Sequence, residues 1–369
     1  MGDVDPRGLA PRRGGLGRFF RKLALIWVVI GLVGAAGAGV LQWLGPPTAP
    51  GVAVHSAVAD AEVAAPRTEA DHSAEAAHPV AAHPEAAHPG VTVAAAVRPA
   101  GAPIPLPEAE LQEASAHYPG AMLPVMAHGR SAMRAYAAGY DAADRRGRIA
   151  LLVSGVGMSG RESEEVVRAL PAAVSLAFSP YALHPEALLA AARGRGHELL
   201  LSIPMEPQNY PINDAGNHAL LTRATAEADD ERLEWALSRF AGYVGATGAL
   251  GRLRGERFAA SDKFPALMQG LGRRGLLYVD PRPGALGGGE AGVVRRAVDL
   301  VIDDPPVRVE IEARLAQLEQ MAKDRGSALG LAGSTLPVTT ERLAAWTATL
   351  SQRGFALVPV SALLLESAK

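Results

Sequence analysis

From Arg148 onward the chain alternates short apolar runs with stretches of helical spacing, and that alternation leaves few folds open. Ile149–Val153, Val174–Phe178, His197–Ile203, Tyr243–Ala246, Leu276–Val279, Leu300–Ile302, Ala328–Ala332 and Phe355–Val358 have the length and aliphatic character of strands covered on both faces. Between them, Glu162–Leu170, Pro185–Arg193, Asp229–Phe240, Asp262–Arg274, Val307–Arg325 and Thr339–Arg353 carry helical spacing. Several helices stop at an Arg-Gly pair: Arg195-Gly196, Arg274-Gly275, Arg325-Gly326 and Arg353-Gly354. The glycine ends the helix, and the cation sits beside the negative end of its dipole. Strand, crossover and strand in one direction predict a single α/β barrel-like domain over residues 148–369.

Within it, Gly196–Pro211 (GHELLLSIPMEPQNYP) joins a buried strand to a polar loop. Pro204, Pro207 and Pro211 forbid both ladder pairing and helix, so the chain must turn there. In α/β folds such a loop lies at the carboxyl end of a strand, where ligands bind. It is either a ligand-facing loop or a stiff surface turn.

The first part of the chain is different. Met1–Lys22 is basic, and Leu23–Leu44 is a 22-residue run with no charge. At ~1.5 Å per residue it spans the ~30 Å hydrocarbon layer of a bilayer. From Gly45 to Val97 the only Arg or Lys is Arg67. That asymmetry predicts residues 1–22 in the cytoplasm and the bulk of the chain outside; the length of the apolar run favours an uncleaved single-pass anchor over a cleaved signal peptide. Residues 45–106 are rich in Ala, Pro and His and repeat AAHP, which predicts a disordered spacer whose histidines are incidental or weakly metal-binding. Residues 107–147 lack a long period and predict an arm lying on the barrel. The net charge is −2, so no basic field points to nucleic acid. Cys is absent, which excludes thiol catalysis, Cys-ligated zinc and disulfides.

Several segments carry a resemblance. Ile149–Ser159 (IALLVSGVGMS), Leu170–Tyr181 (LPAAVSLAFSPY), Gly196–Pro211, Asn213–Thr222 (NDAGNHALLT), Arg232–Gly245, Arg274–Asp280 and Arg353–Leu363 together resemble the divergent polysaccharide deacetylase family. PMEP followed by YP is the most telling piece. The resemblance implies a distorted (β/α) barrel of the carbohydrate-ester deacetylase kind, working in the envelope of a Gram-negative bacterium. It also implies a divalent metal held by an Asp and two His, with a second Asp as base. Here the first strand ends in Ser154-Gly155 where an Asp pair is expected. Ser202 precedes the PMEP turn, and Gly330–Pro337 (GLAGSTLP) has no histidine. The resemblance therefore implies either an inactive barrel that binds a glycan or protein, or a hydrolase with a carboxylate-based site.

The carboxylates are the better-placed candidates. Glu206, Asp280 and Asp303-Asp304 each follow an apolar strand closely. Glu206 and Asp280 are the first choices for acid–base work, or for a hard cation if the carboxylates converge; no other cofactor is expected. Asn209, Tyr210, Asp214, His218 and Asp303 are candidates for lining a sugar site. The plainer readings are an internal ion pair for Asp280 with Arg282, a turn and helix cap for Asp303, and a solvated loop for Arg252–Arg257. His197 reads as a hydrogen-bonded core residue. Expected partners are envelope polysaccharide or peptidoglycan, the inner membrane through residues 23–44, and an envelope protein.

Overall fold

The computed structural model describes residues 98–285 and 292–366. The basic N-terminus, the apolar run 23–44 and the spacer up to residue 97 lie outside the described residues. Among the described residues, no helix is long and apolar enough to cross a membrane.

The described residues form eleven strands: β1 (Gln112–Ala114), β2 (Met122–Pro124), β3 (Gly147–Val156), β4 (Ser175–Phe178), β5 (Leu199–Ser202), β6 (Gly245–Thr247), β7 (Leu277–Asp280), β8 (Val294–Ala297), β9 (Leu300–Val301), β10 (Ser327–Ala332) and β11 (Phe355–Leu357). β1 and β2 form an antiparallel hairpin. The other nine form one parallel sheet in the order β8-β7-β6-β5-β4-β3-β10-β9. β11 pairs with the first residues of β3, Gly147–Ile149, while β4 pairs with its later residues from Leu152.

The two edge strands, β8 and β9, are separated only by Val298 and Asp299. Three Cα steps reach at most about 11 Å, so the sheet must curl until its edges meet. The Val298 N–H donates to the Asp280 carbonyl at 2.9 Å, and the Asp299 N–H donates to the Leu329 carbonyl at 2.8 Å. One segment thus lies first beside β7 and then beside β10. Asp299 reinforces the seam by accepting from the Leu329 N–H at 2.8 Å and pairing with Arg296 and Arg325. The result is a curled barrel of parallel strands with helices outside. Strands β4, β5, β6 and β7 are buried throughout, as their aliphatic runs require.

β8 was not expected from its residues. Val294-Arg295-Arg296-Ala297 carries two charges in four positions, and it is tolerated because Arg295 pairs with Asp280 and Arg296 with Asp299.

The arm begins by Arg98 rather than at residue 107, because Ile104 is buried and its N–H donates to the Arg193 carbonyl. It runs under the amino ends of β5, β6 and β7. The glycine stops there also give the arm room. A methyl on Gly275 would lie 2.6 Å from Met126 and 2.7 Å from Ser131, and one on Gly196 would lie 2.9 Å from the Gly101 carbonyl. The buried Glu198 carboxylate ties three parts together, accepting from the Ala138 N–H of the arm, Ser175 of β4 and Ser361 of the last helix.

Candidate functional site

The carboxyl ends of the strands form the upper mouth of the barrel, and the candidate carboxylates lie at or just beyond strand ends there, Asp280 as the last residue of β7. The structure does not bring their carboxylates together. Each has its own set of partners.

Glu206 is 3% exposed. One oxygen pairs with Arg257 at 2.8 Å, and the other accepts from the backbone N–H and hydroxyl of Thr222, both at 2.7 Å. The side chain therefore pins the loop Asn213–Thr222 against the β5 turn. Asp280 is fully buried, with Arg282 at 2.8 Å and Arg295 at 2.6 Å. Burial alone would push its carboxyl up, but hydrogen bonds from the two guanidiniums outweigh that and hold it below the usual carboxylate range. Both guanidiniums also lie over the Phe264 ring. Asp303, 1% exposed, accepts from the Gly333 N–H at 2.6 Å, Ser334 at 2.7 Å and Thr339 at 3.2 Å. It thereby ties the turn after β10 to the helix Pro337–Leu350.

The Arg252–Arg257 run is a solvated loop, as read, whose exposed Arg252 and Arg257 are nonetheless engaged in ion pairs. Arg252 and Arg254 both reach Asp304 at 3.1 Å, and Arg257 reaches Glu206. Burial raises the Asp304 carboxyl, yet Arg254 and Arg252 leave it below its ordinary value.

Asn209 is exposed and left-handed (φ 63), and Asp214 accepts from the Gly216 N–H at 2.9 Å. Tyr210 is half-buried. His218 stacks on Trp235 with ring centroids 3.7 Å apart, and its N–H donates to the Tyr181 hydroxyl. Burial, then the charges of Arg232 and Arg239, lower its pKa. Tyr181 packs on Trp235 from the other strand end, and Arg239 lies over the same indole. Trp235 was missed because its half-apolar helix reads as packing alone. His197 is a core residue as read: both ring nitrogens face carbonyls, Val174 at 2.9 Å and Val167 at 3.2 Å.

The centre of the mouth is filled by backbone. Ser154 donates to the Gly251 carbonyl at 3.0 Å. A methyl on Gly155 would lie 3.2 Å from the Gly251 Cα, and one on Gly333 would lie 3.3 Å from the Gly251 carbonyl. Three glycines, one near the end of β3 and two from the loops after β6 and β10, therefore meet at the centre of the mouth. Among the described residues, no three His, Asp or Glu side chains are placed to hold a metal. The one carboxylate in contact with this centre, Asp303, is already engaged by three donors. The residues present do not fit the divalent ion that such barrels use.

Around the closed mouth the rim is apolar. Ile212, Leu183, Met158, Leu336, and Val307 with Val309 are exposed, and they follow β5, β4, β3, β10 and β9 in turn, five consecutive neighbours in the sheet. Leu183 is 87% and Ile212 90% exposed.

A comparison with curated proteins finds no match. Among solved structures, the chain is similar to an uncharacterized protein from Agrobacterium tumefaciens C58. The two share 32% identity with a TM-score of 0.60, over 66% of this chain and 99% of the other. The sequence profile of the divergent polysaccharide deacetylases matches residues 151–364. With more than half of its length matched in this way, the chain belongs to the divergent polysaccharide deacetylase family.

Proposed function

We propose that this protein is a membrane-anchored, periplasmic member of the family that binds at the envelope glycan layer without hydrolysing it. The observation that carries this reading is the closed mouth: Ser154, Gly155, Gly251 and Gly333 pack together, and Glu206, Asp280 and Asp303 are each consumed by separate partners. The anchor and its orientation rest on the uncharged run 23–44 and the basic residues before it. Family membership supports a polysaccharide as the surrounding ligand. The aliphatic rim favours a protein held at that polysaccharide as the direct contact, because sugars are bound through hydroxyl partners and aromatic faces rather than Ile, Leu and Val.

The test is metal content of the purified full chain by elemental analysis, beside acetate release from chitooligosaccharide and peptidoglycan fragments. The expected result is no stoichiometric metal and no acetate from a folded protein. Stoichiometric metal with acetate release that is lost in Glu206→Ala would overturn the reading in favour of an active hydrolase. Glu206→Ala is the better control than Asp280→Ala, whose loss strands a buried Arg295.

A further inference from the structure

The lower end of the barrel has a covered half and an open half. Below β5, β6 and β7 the arm seats against the glycine stops. Below β10 and β11 no described residue does: methyl groups on Gly326 and Gly354 would meet no atom of the described residues within 4 Å. Two adjoining clefts of about 400 and 640 Å³ open there, sharing Arg145, Arg146 and Gly326 in their walls.

Their charge is one-sided. The two clefts are lined by the cations Arg145, Arg146, Arg148, Arg296, Lys323 and Arg353. Among the described residues, their carboxylates are Asp144, Glu319 and Glu366. Each of those carboxylates is already engaged by one of the arginines: Asp144 by Arg146, Glu366 by Arg148 and Glu319 by Arg353. Arg296 is held by Asp299 beyond the clefts. Arg145 and Lys323 have no hydrogen-bond or ion-pair partner among the described residues. The local excess is positive in a chain whose net charge is −2. Helix carbonyl ends account for a cation such as Lys323, near the end of helix Arg308–Arg325. They do not account for Arg145, which lies in the turn before β3.

The arrangement also has an inner and an outer layer. Arg148 and Arg296 are largely buried, and Arg148 is fixed by Glu366 and the Tyr140 ring. Their guanidiniums are oriented before any ligand arrives, which lowers the ordering cost of binding. Arg145 and Lys323 stand at the edge, free to close over an anion.

We propose that these clefts bind a ligand carrying clustered phosphate groups, with Arg148 and Arg296 as the fixed inner contacts and Arg145 and Lys323 as the outer ones. Two clefts sharing one wall suit a ligand with more than one charged group. Guanidinium forks match phosphate oxygens in pairs. The site lies at the opposite end of the barrel from the mouth and does not depend on what the mouth does.

The test is calorimetric titration of the full chain, in neutral detergent at low ionic strength, with two probes. One is inorganic pyrophosphate. The other is micelles of the same detergent carrying phosphatidylglycerol. Binding of pyrophosphate identifies a soluble phosphate ligand, and a response to the doped micelles alone identifies a lipid headgroup; either supports the proposal. The double variant Arg145→Ala with Lys323→Ala changes two exposed, unengaged side chains, so its melting temperature should stay put while affinity falls roughly tenfold or more. Arg161→Ala with Arg223→Ala removes the same charge at the upper end and should leave affinity within a few-fold. No response to either probe, an unchanged affinity in the lower-end variant, or an equal loss in the upper-end variant would each overturn it.

Discussion

Asp280 and Asp304 are both carboxylates beyond strand ends, both bound by two arginines, and their surroundings assign them opposite weights. Asp280 has no solvent access, and the side chain of Arg295 is 6% exposed. Removing the carboxylate leaves that guanidinium buried without an anion, a change of the kind that costs about 3–5 kcal/mol. Asp304 is 41% exposed, and its arginines can turn to water. Asp280→Ala should therefore lower the urea midpoint strongly, whereas Asp304→Ala should cost under about 1 kcal/mol. Equal midpoints in the two variants would contradict this assignment. The position of both carboxylates past apolar strands was legible in the residues. Arg282 was legible too, being two positions from Asp280. Arg295 and Arg257 were not, because their pairing is made by the fold across elements that no local pattern connects.

At the scale of elements, eight expected strands and six expected helices are present, with ends that shift by a few residues. Long aliphatic runs and glycine stops made them readable. β8 escaped because its charges are neutralised by Asp280, which the fold brings onto the neighbouring strand, and by Asp299, three residues on. The arm hairpin escaped because three-residue strands carry no measurable period. Its grip on the barrel can nevertheless be tested. Glu234, in the helix Ala226–Leu237, accepts from Ser115, from the Ala116 and His117 N–H groups, and from the His117 ring. Burial would raise the Glu234 carboxyl, but these donors outweigh it and bring it down to about 2. The carboxylate in turn raises His117 above its usual value. The Glu234 share of the grip is present above about pH 4.3, its unfolded value, and is lost as pH falls toward the folded one. The His117 share is complete below about pH 6.5 and is lost as pH rises through its raised folded value. Hydrogen exchange at Ala116 and His117, corrected for intrinsic rates, should be slowest between these limits. His117→Ala should flatten the alkaline limb, and an unchanged profile would contradict the pairing.

Over the whole molecule, the upper end is closed by glycine packing and rimmed with aliphatic groups, while the lower end is half covered by the arm and half open and basic. The family pattern made the missing ligands visible in sequence, since Ser154 and Ser202 stand where an acid and a histidine are expected. That the gap is filled by Gly251 was not visible, because close approach of three backbones depends on loop paths. A chain ending at Gly354 would lose β11 and both Ser361 contacts to Glu198. It should remain compact but be cut by protease near Gly147–Ile149, where the full chain resists. Equal resistance would show that β11 is dispensable.

β11 also bears on how the molecule is made. It is the last strand to leave the ribosome, yet it lies against the first strand of the sheet, about two hundred residues earlier. Until Phe355–Leu357 emerges, half of one edge of β3 is unpaired, and contacts this distant in sequence form slowly. A barrel assembled this way cannot complete its sheet until that strand has been made.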